Sequence, residues 1–407
     1  MNDSDAAEEK CSMTIDWMAE AQALRDELIE RRRDFHRHPE LAFEEVRTAG
    51  IVAAELGALG MEVMTGVGKT GVVGILEGSA DGPTVLVRCD MDALPIQEAN
   101  TTDYVSETPG KMHACGHDAH TAIGLVVARM LAARREQLAG RVKFLFQPAE
   151  EIGRGAAAMI RDGVLGAPQP TVSLGLHLWN DLPLGNVCIT EGPAMASSND
   201  FRITVQGKGA HGALPDQGRD PILAGAHIVT ALQSVVSRNV SGLDTAALSV
   251  CVFDAGHAVN VIPDSALLRG TFRTYRQEVN DLVTRRIHEI ATGVAAAMGC
   301  KAEVDTEQVT PPLINDSATN RRLRETFAGL NMPMPVNWLD SVRTMASEDM
   351  AYFLQAVPGT FFFVGSADPT RGLDFAHHHP RFDFDEAVLP LAAGLLAAAV
   401  ASHVVRA

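Results

Sequence analysis

The sequence has no excess of basic residues: 34 Lys and Arg stand against 51 Asp and Glu, a formal charge of −17 over 407 residues. A nucleic-acid or anionic-membrane partner calls for a basic patch, so neither is expected. The six cysteines (Cys11, Cys89, Cys115, Cys188, Cys251 and Cys300) lie far apart, with no CxxC pair. In a chain of this length that excludes a disulfide framework and suits a reducing compartment. Residues 1–10 are polar and acidic and lack the apolar stretch of a signal peptide. Internal repeats and low-complexity tracts are absent. Only residues 387–405 imitate a membrane span; Pro390, Gly394, Ser402 and His403 interrupt a run that is mostly alanine, a weak driver of insertion. A buried C-terminal helix in a soluble, cytoplasmic protein is the expectation. What is present, 46% hydrophobic and 21% charged residues, is ordinary globular composition. The length predicts two domains with sizeable cores.

Residues 16–38 read as an amphipathic helix ending near Pro39, and 43–59 as a second closed by Gly60. Strand patterns follow at 62–64, 72–76 and 84–89, then a helix to about Gln137, a strand at 142–146, a helix at 155–162 and a strand at 172–178. This alternation predicts an α/β domain, a central mixed sheet flanked by helices. Beyond about residue 196 come a strand (201–205), a helix (221–236), two strands (247–253 and 267–274), a helix (278–298) and a strand near 302–304. That β-α-β-β-α-β order is the ferredoxin-like arrangement, short enough to be inserted as a separate domain. The expected organisation is an α/β domain over 1–195, an insert over 196–308, and a return to the first domain over 309–407.

Gly66-Val67-Gly68-Lys69-Thr70 imitates the end of a phosphate-binding loop. Val63 stands where that motif needs its first glycine, and a strand rather than a helix follows, so a hairpin turn is predicted. Chemistry concentrates instead in residues 111–121, which hold Cys115, Asp118 and the imidazoles of His113, His117 and His120. These are donor types that borderline divalent metals prefer. Cys115 and His117 can meet one ion only from a tight turn, which Gly116 permits.

Further along, strand 142–146 runs into Gln147-Pro148-Ala149-Glu150-Glu151, where Pro148 must end the ladder. Two adjacent carboxylates at a strand end diverge, so one can bind a metal while the other works on a water; taken alone, such a pair is more often a solvated turn. His177 lies on an apolar strand, where a lone histidine is ordinarily a core residue, and His377-His378-His379-Pro380 precedes the last helix. Each signal is weak by itself. Together they gather enough donors for a dinuclear metal centre with a spare carboxylate as base.

As an ordered set these motifs, with Asp90-Met91-Asp92-Ala93-Leu94-Pro95, Gly207 to Gly212 and Asn260-Val261-Ile262-Pro263-Asp264, resemble the hippurate hydrolase and indole-acetyl-amino-acid amidohydrolase branch of the dinuclear-metal aminoacylase and carboxypeptidase family. The resemblance spans about residues 30–400. It implies a hydrolase cleaving the amide bond of N-acyl (benzoyl, acetyl or indole-acyl) amino acids. It implies two divalent metal ions, Zn or Mn with Co or Ni as further choices, held by a bridging Cys115 with His117, Glu151, His177 and His378. Glu150 would be the general base and Asp92 would orient the ligands. Asp90 stands where the wider family has a histidine, and His117 would compensate. The inserted domain would form a homodimer or higher homo-oligomer interface. Through it His211 would reach the partner's site to stabilise the oxyanion, and Asn260 and Arg273 would bind the substrate carboxylate or the oxyanion.

Two departures stand out: Asp216 where relatives often have histidine, and His379 in place of a small polar residue, an extra imidazole that could exchange with His378. The rival readings are a dipeptidase or carboxypeptidase on the same scaffold, and a metal-binding protein without catalysis. The latter gives no reason for a free Glu150 beside Glu151.

Overall fold

A computed structural model describes residues 15–405; the acidic opening segment read above for a signal peptide lies outside them, as does Cys11. The larger sheet has eight strands. Their spatial order is Glu62–Val67, Gly71–Glu77, Ala139–Gln147, Ala80–Asp90, Val172–Pro183, Gly359–Ala367, Asn186–Cys188 and Asn337–Leu339. The first two form an antiparallel hairpin around the Gly66–Thr70 turn, and the second is antiparallel to Ala139–Gln147. From Ala139–Gln147 through Ala80–Asp90 and Val172–Pro183 to Gly359–Ala367 the pairing is parallel, so these four strands end on the same side.

Alternate residues of these strands enter two cores. Val85, Val87, Phe144, Phe146, Phe362 and Val364 pack into one, while Leu86, Leu145, Phe361 and Phe363 pack into the other. Burial on both faces is why these strands read as continuous apolar runs. One face carries the helices Trp17–Ala23, Arg25–Arg37, Val46–Ala58, His117–Ala132 and Val388–Val404; the other carries Gly155–Arg161 and Met350–Ala356. The last helix is apolar all round because all of it except Ser402 and His403 is buried. Among the described residues no helix is long and apolar enough to cross a membrane.

The smaller sheet is antiparallel, ordered Ala246–Asp254, Ser265–Thr274, Ser198–Gln206 and Lys301–Thr310. Helices Pro221–Ser234 and Gln277–Ala297 cover it around a core of its own. Second, third, first, fourth is the ferredoxin-like strand order.

Three details differ from expectation. The helix predicted over 16–38 is interrupted at Leu24, because Trp17, Met18 and Ala21 pack against the C-terminal helix while Arg25–Arg37 lies along His117–Ala132. The helix expected to reach Gln137 stops at Ala132, and Arg135–Gln137 forms a separate 3-10 turn. The last two strands of the sheet, Asn186–Cys188 and the edge strand Asn337–Leu339, three residues each, are too short for any alternation to register.

Candidate metal centre

The four parallel strands deliver the chemically interesting side chains to one end of the sheet. Cys115 precedes Gly116, whose φ of 90° turns the chain so that Cys115 and His117 face the same space as the helix begins. The strand Ala139–Gln147 stops at Pro148, as predicted, and Ala149 takes φ 54° to start the acidic loop. That loop is packed down behind: a Cβ at Gly155 would lie 1.6 Å from the Pro148 carbonyl oxygen. His177 comes from the strand Val172–Pro183. His378 holds φ 66°, and its N–H donates to the Ala114 carbonyl at 2.8 Å, which ties the C-terminal loop to the cysteine loop. Positive φ at two non-glycine residues of one site is strain that the surrounding contacts maintain.

Cys115 belongs to two groups whose donor atoms lie within 4.8 Å of one another, Cys115/His117/His177 and Cys115/Glu151/His378. Its Sγ is 3.6 Å from His177 Nε2, and His378 Nε2 is 3.2 Å from Glu151 Oε2. His117 Nδ1–H donates to the Asp92 carbonyl at 2.9 Å, and His177 Nδ1–H to the Leu178 carbonyl at 2.6 Å. Both rings therefore turn Nε2, the nitrogen left available to a ligand, inward. His117 Nε2 and Glu151 Oε1 are buried without any hydrogen-bond partner. Such atoms are costly unless something positive meets them. The donor set (thiol, imidazoles, carboxylate) fits borderline divalent cations.

The electrostatics agree. Burial, then Glu348, Glu151 and Asp349, push the Glu150 carboxyl well above its usual range. Burial, then Glu151, Glu150 and Asp90, push the Cys115 thiol up. Burial alone would lower His117, but Asp90, a hydrogen bond to Asp92 and Glu151 outweigh it and take the ring to about 10. All three shifts express one fact: the protein alone leaves this pocket short of positive charge.

Asp92 sits behind these candidate donors. Its two carboxylate oxygens accept the backbone N–H groups of Glu150 and Glu151, each at 3.0 Å. It orients the acidic loop and touches no open space. Asp90 is committed as well, to His120 Nδ1–H at 2.6 Å and to Arg88. His120 Nε2 accepts the Leu178 N–H at 3.0 Å, so the Asp90/His117/His120 group has no two free donors. Asp118 binds Arg32 and His36, and His113 is buried with neither nitrogen bonded.

Sequence reasoning missed the layer beneath. Arg88, buried mid-sheet, donates to Glu348 at 2.7 and 3.2 Å, to Asp349 at 3.1 Å and to Gln147 at 2.9 Å. Glu348, which also lines the cavity over the cluster, and Asp349 bring carboxylate oxygens within 4.8 Å of one from Glu150. An arginine inside the apolar run Val85 to Cys89 was the available signal.

A cavity of about 510 Å³ opens over the cluster. Cys115, Glu150, Glu151, His177 and His378 form its floor; Arg273, Asp200 and Thr310 reach it from the smaller sheet. The Nη1 of Arg273 has no partner. His211 and Asn260 do not line it. They lie side by side on the ribbon Ala210–His211 with Val261–Ile262, both exposed, with Gly212 N–H donating to the Asn260 carbonyl at 2.8 Å. Asp216 is in the 3-10 turn just beyond and is absent from the cavity too. His379 points away: its Nδ1 accepts the Arg381 N–H at 3.0 Å and its ring stacks on Phe375.

Comparison with known proteins gives a consistent picture. The model of the peptidase family M20/M25/M40 matches residues 86–402. An IAA-amino acid hydrolase of Arabidopsis thaliana is 40% identical over 372 residues, 91% of this chain and 84% of that protein. An N-acetyl-L-cysteine deacetylase of Bacillus subtilis is 39% identical over 366 residues, 90% of this chain and 85% of that protein. Among solved structures, a dinuclear metal-binding M20 peptidase of Bacillus subtilis superposes with a TM-score of 0.81 at 35% identity, covering 93% of this chain and 98% of that one.

Proposed function

The chain belongs to the peptidase family M20/M25/M40, and we propose that it hydrolyses the amide bond of N-acyl amino acids, of acetyl, benzoyl or indole-acyl type, at the centre built on Cys115. The observation that carries this reading is that Cys115 is common to two donor groups, while Glu150, at the cavity floor, belongs to neither of those two. In this reading Cys115, His117 and His177 would hold one divalent cation, and Cys115, Glu151 and His378 would hold a second. When bound, such cations supply the charge that polarises an amide carbonyl and acidifies a water. Cysteine and imidazole donors favour zinc by softness; manganese, cobalt and nickel are the other candidates, since availability also decides.

Glu150 takes the proton of the attacking water. The C–O bond forms, the C–N bond breaks, and Glu150 returns the proton to the leaving nitrogen, giving a carboxylic acid and a free amino acid. Arg273, the cation on the cavity wall, binds the substrate carboxylate. His211 and Asn260 lie outside their own chain's cavity, so they act on the site of a second copy, His211 at the oxyanion. The insert (196–308) is thus the dimerisation domain, between the two parts (1–195 and 309–407) of the catalytic domain. The described cysteines, Cys89, Cys115, Cys188, Cys251 and Cys300, are all free, in keeping with a cytoplasmic enzyme.

The test is a hydrolysis screen. Metal-depleted protein is reconstituted with one ion at a time and offered N-acetyl, N-benzoyl and indole-acyl amino acids beside unblocked dipeptides. Turnover of the acylated set is expected. Cleavage of dipeptides alone would assign the rival dipeptidase activity, and no turnover with any ion would sink the reading.

A further inference from the structure

Three consecutive histidines follow Ala376, and the fold uses each differently. His378 faces Glu151 and His379 stacks on Phe375, whereas His377 turns inward, its Nδ1 3.7 Å from Cys115 Sγ. The other nitrogen of His377, Nε2, accepts the backbone N–H of Asn180 at 3.0 Å. Asn180 is itself immobilised: its amide donates to the carbonyls of Phe375 (2.8 Å) and Asp383 (3.0 Å), and its Oδ1 accepts the Ser366 hydroxyl at 2.9 Å. The His377 ring is packed against Trp179, centroids 4.7 Å apart, and Phe382, 5.0 Å apart.

A neutral imidazole carries one proton. With Nε2 accepting, that proton is on Nδ1, the atom that faces the sulfur. His117 and His177 do the reverse, giving their Nδ1–H to carbonyls and turning Nε2 toward the cluster. Four imidazoles thus surround Cys115, those of His117, His177 and His378 as potential ligands and that of His377 as a donor. His377 cannot ligate through Nδ1 without giving up the Asn180 bond.

We propose that His377 is a positioning residue that donates an Nδ1–H···S hydrogen bond to Cys115 and so sets the donor strength of the sulfur shared between the metal ions. The proposal rests on the reading of Cys115 as a metal ligand. A hydrogen bond to a ligating thiolate withdraws electron density from it, one of the general means by which proteins tune a metal site. The carboxylates of Glu151, Glu150, Asp90 and Glu348 all bring negative charge to the sulfur. A donor at the sulfur therefore leaves more of the ions' charge for the substrate carbonyl.

The experiment uses the full chain loaded with cobalt(II), whose sulfur-to-metal charge-transfer band reports on the thiolate. His377→Phe keeps a ring between Trp179 and Phe382 but removes the donor, and the band is expected to move to longer wavelength. His377→Asn places an amide N–H where Nδ1 was and is expected to return the band toward its original position. In zinc-loaded protein labelled with ¹⁵N-histidine, His377 is expected as the neutral Nδ1–H tautomer. An unmoved band in a fully loaded His377→Phe protein, or an Nε2–H tautomer, overturns the proposal. Absence of the band from the unsubstituted protein overturns the ligation of Cys115 instead, and with it the proposal. Should His377→Phe fail to fold, the tautomer in the unsubstituted protein decides.

Discussion

Asp92 and Glu150 are joined through the backbone: the Asp92 Oδ1 accepts the Glu150 N–H at 3.0 Å, while Oδ2 accepts the next N–H along, that of Glu151. One buried carboxylate thus fixes the direction of both acidic side chains. In Asp92→Asn, one acceptor becomes an NH₂ facing an N–H. The acidic loop must then shift. Activity or metal affinity is expected to fall by about 10- to 100-fold, the usual cost of losing a group that orients ligands. Steady-state kinetics together with a competitive chelator titration measure both, and values within twofold of the parent on both would refute the role given to Asp92.

Glu150 itself should separate chemistry from binding. Glu150→Ala leaves Cys115, His117, Glu151, His177 and His378 in place, so the metal content of the purified protein is expected to be unchanged. Turnover is expected to drop by roughly 10²- to 10⁴-fold, the range for removal of a general base. Elemental analysis checks the first half and kcat the second. A variant retaining more than about a tenth of parental kcat would remove Glu150 from that role.

What could be read in advance follows sequence distance. Cys115 with His117, and Glu150 with Glu151, are visible because their donors are neighbours next to a turn-forming Gly or a ladder-breaking Pro. The central sheet is legible because its strands are apolar on both faces. Arg88 shows only as a lone arginine in an apolar run, and nothing local marks Glu348 as its partner, since 260 positions separate residues that meet through two hydrogen bonds. The three identical residues His377, His378 and His379 cannot be told apart by composition. Backbone conformation assigns them, with positive φ at His378 and an aromatic stack for each neighbour. The location of His211 outside the cavity was likewise invisible to residue patterns; only the resemblance to the family suggested a second subunit.

The raised proton affinity of His117 has a consequence for metal uptake. Its pKa of about 10 in the metal-free protein means that the ring carries a proton at pH 8, which an incoming cation must displace. Metal affinity is therefore expected to rise with pH between about 7 and 10, and uptake at pH 8 to release protons into a weak buffer. The stability of the metal-free protein carries the opposite sign. A histidine raised above its unfolded value near 6.5 stabilises fully below that value and loses its contribution as pH rises through 10. His117→Gln should flatten that decline, measured by urea denaturation at pH 7 and pH 10. An unchanged slope would show that the ring is neutral in the folded, metal-free chain.

His211 is the sharpest test of a shared site. Its imidazole is exposed on the ribbon beside Asn260, away from the cavity that holds Glu150 of the same chain. If each cavity borrows His211 from a second copy, His211→Ala and Glu150→Ala should each be inactive alone yet complement when subunits are exchanged. In a mixed dimer, one cavity combines an intact Glu150 with an intact His211 and the other has neither. Equal mixing with random exchange gives mixed dimers for half the population, so about a quarter of parental activity is expected for a two-fold symmetric dimer. Activity assays after co-expression, with differently tagged chains to verify the exchange, read this directly. A verified mixed dimer with no activity would place the oxyanion donor within a single chain.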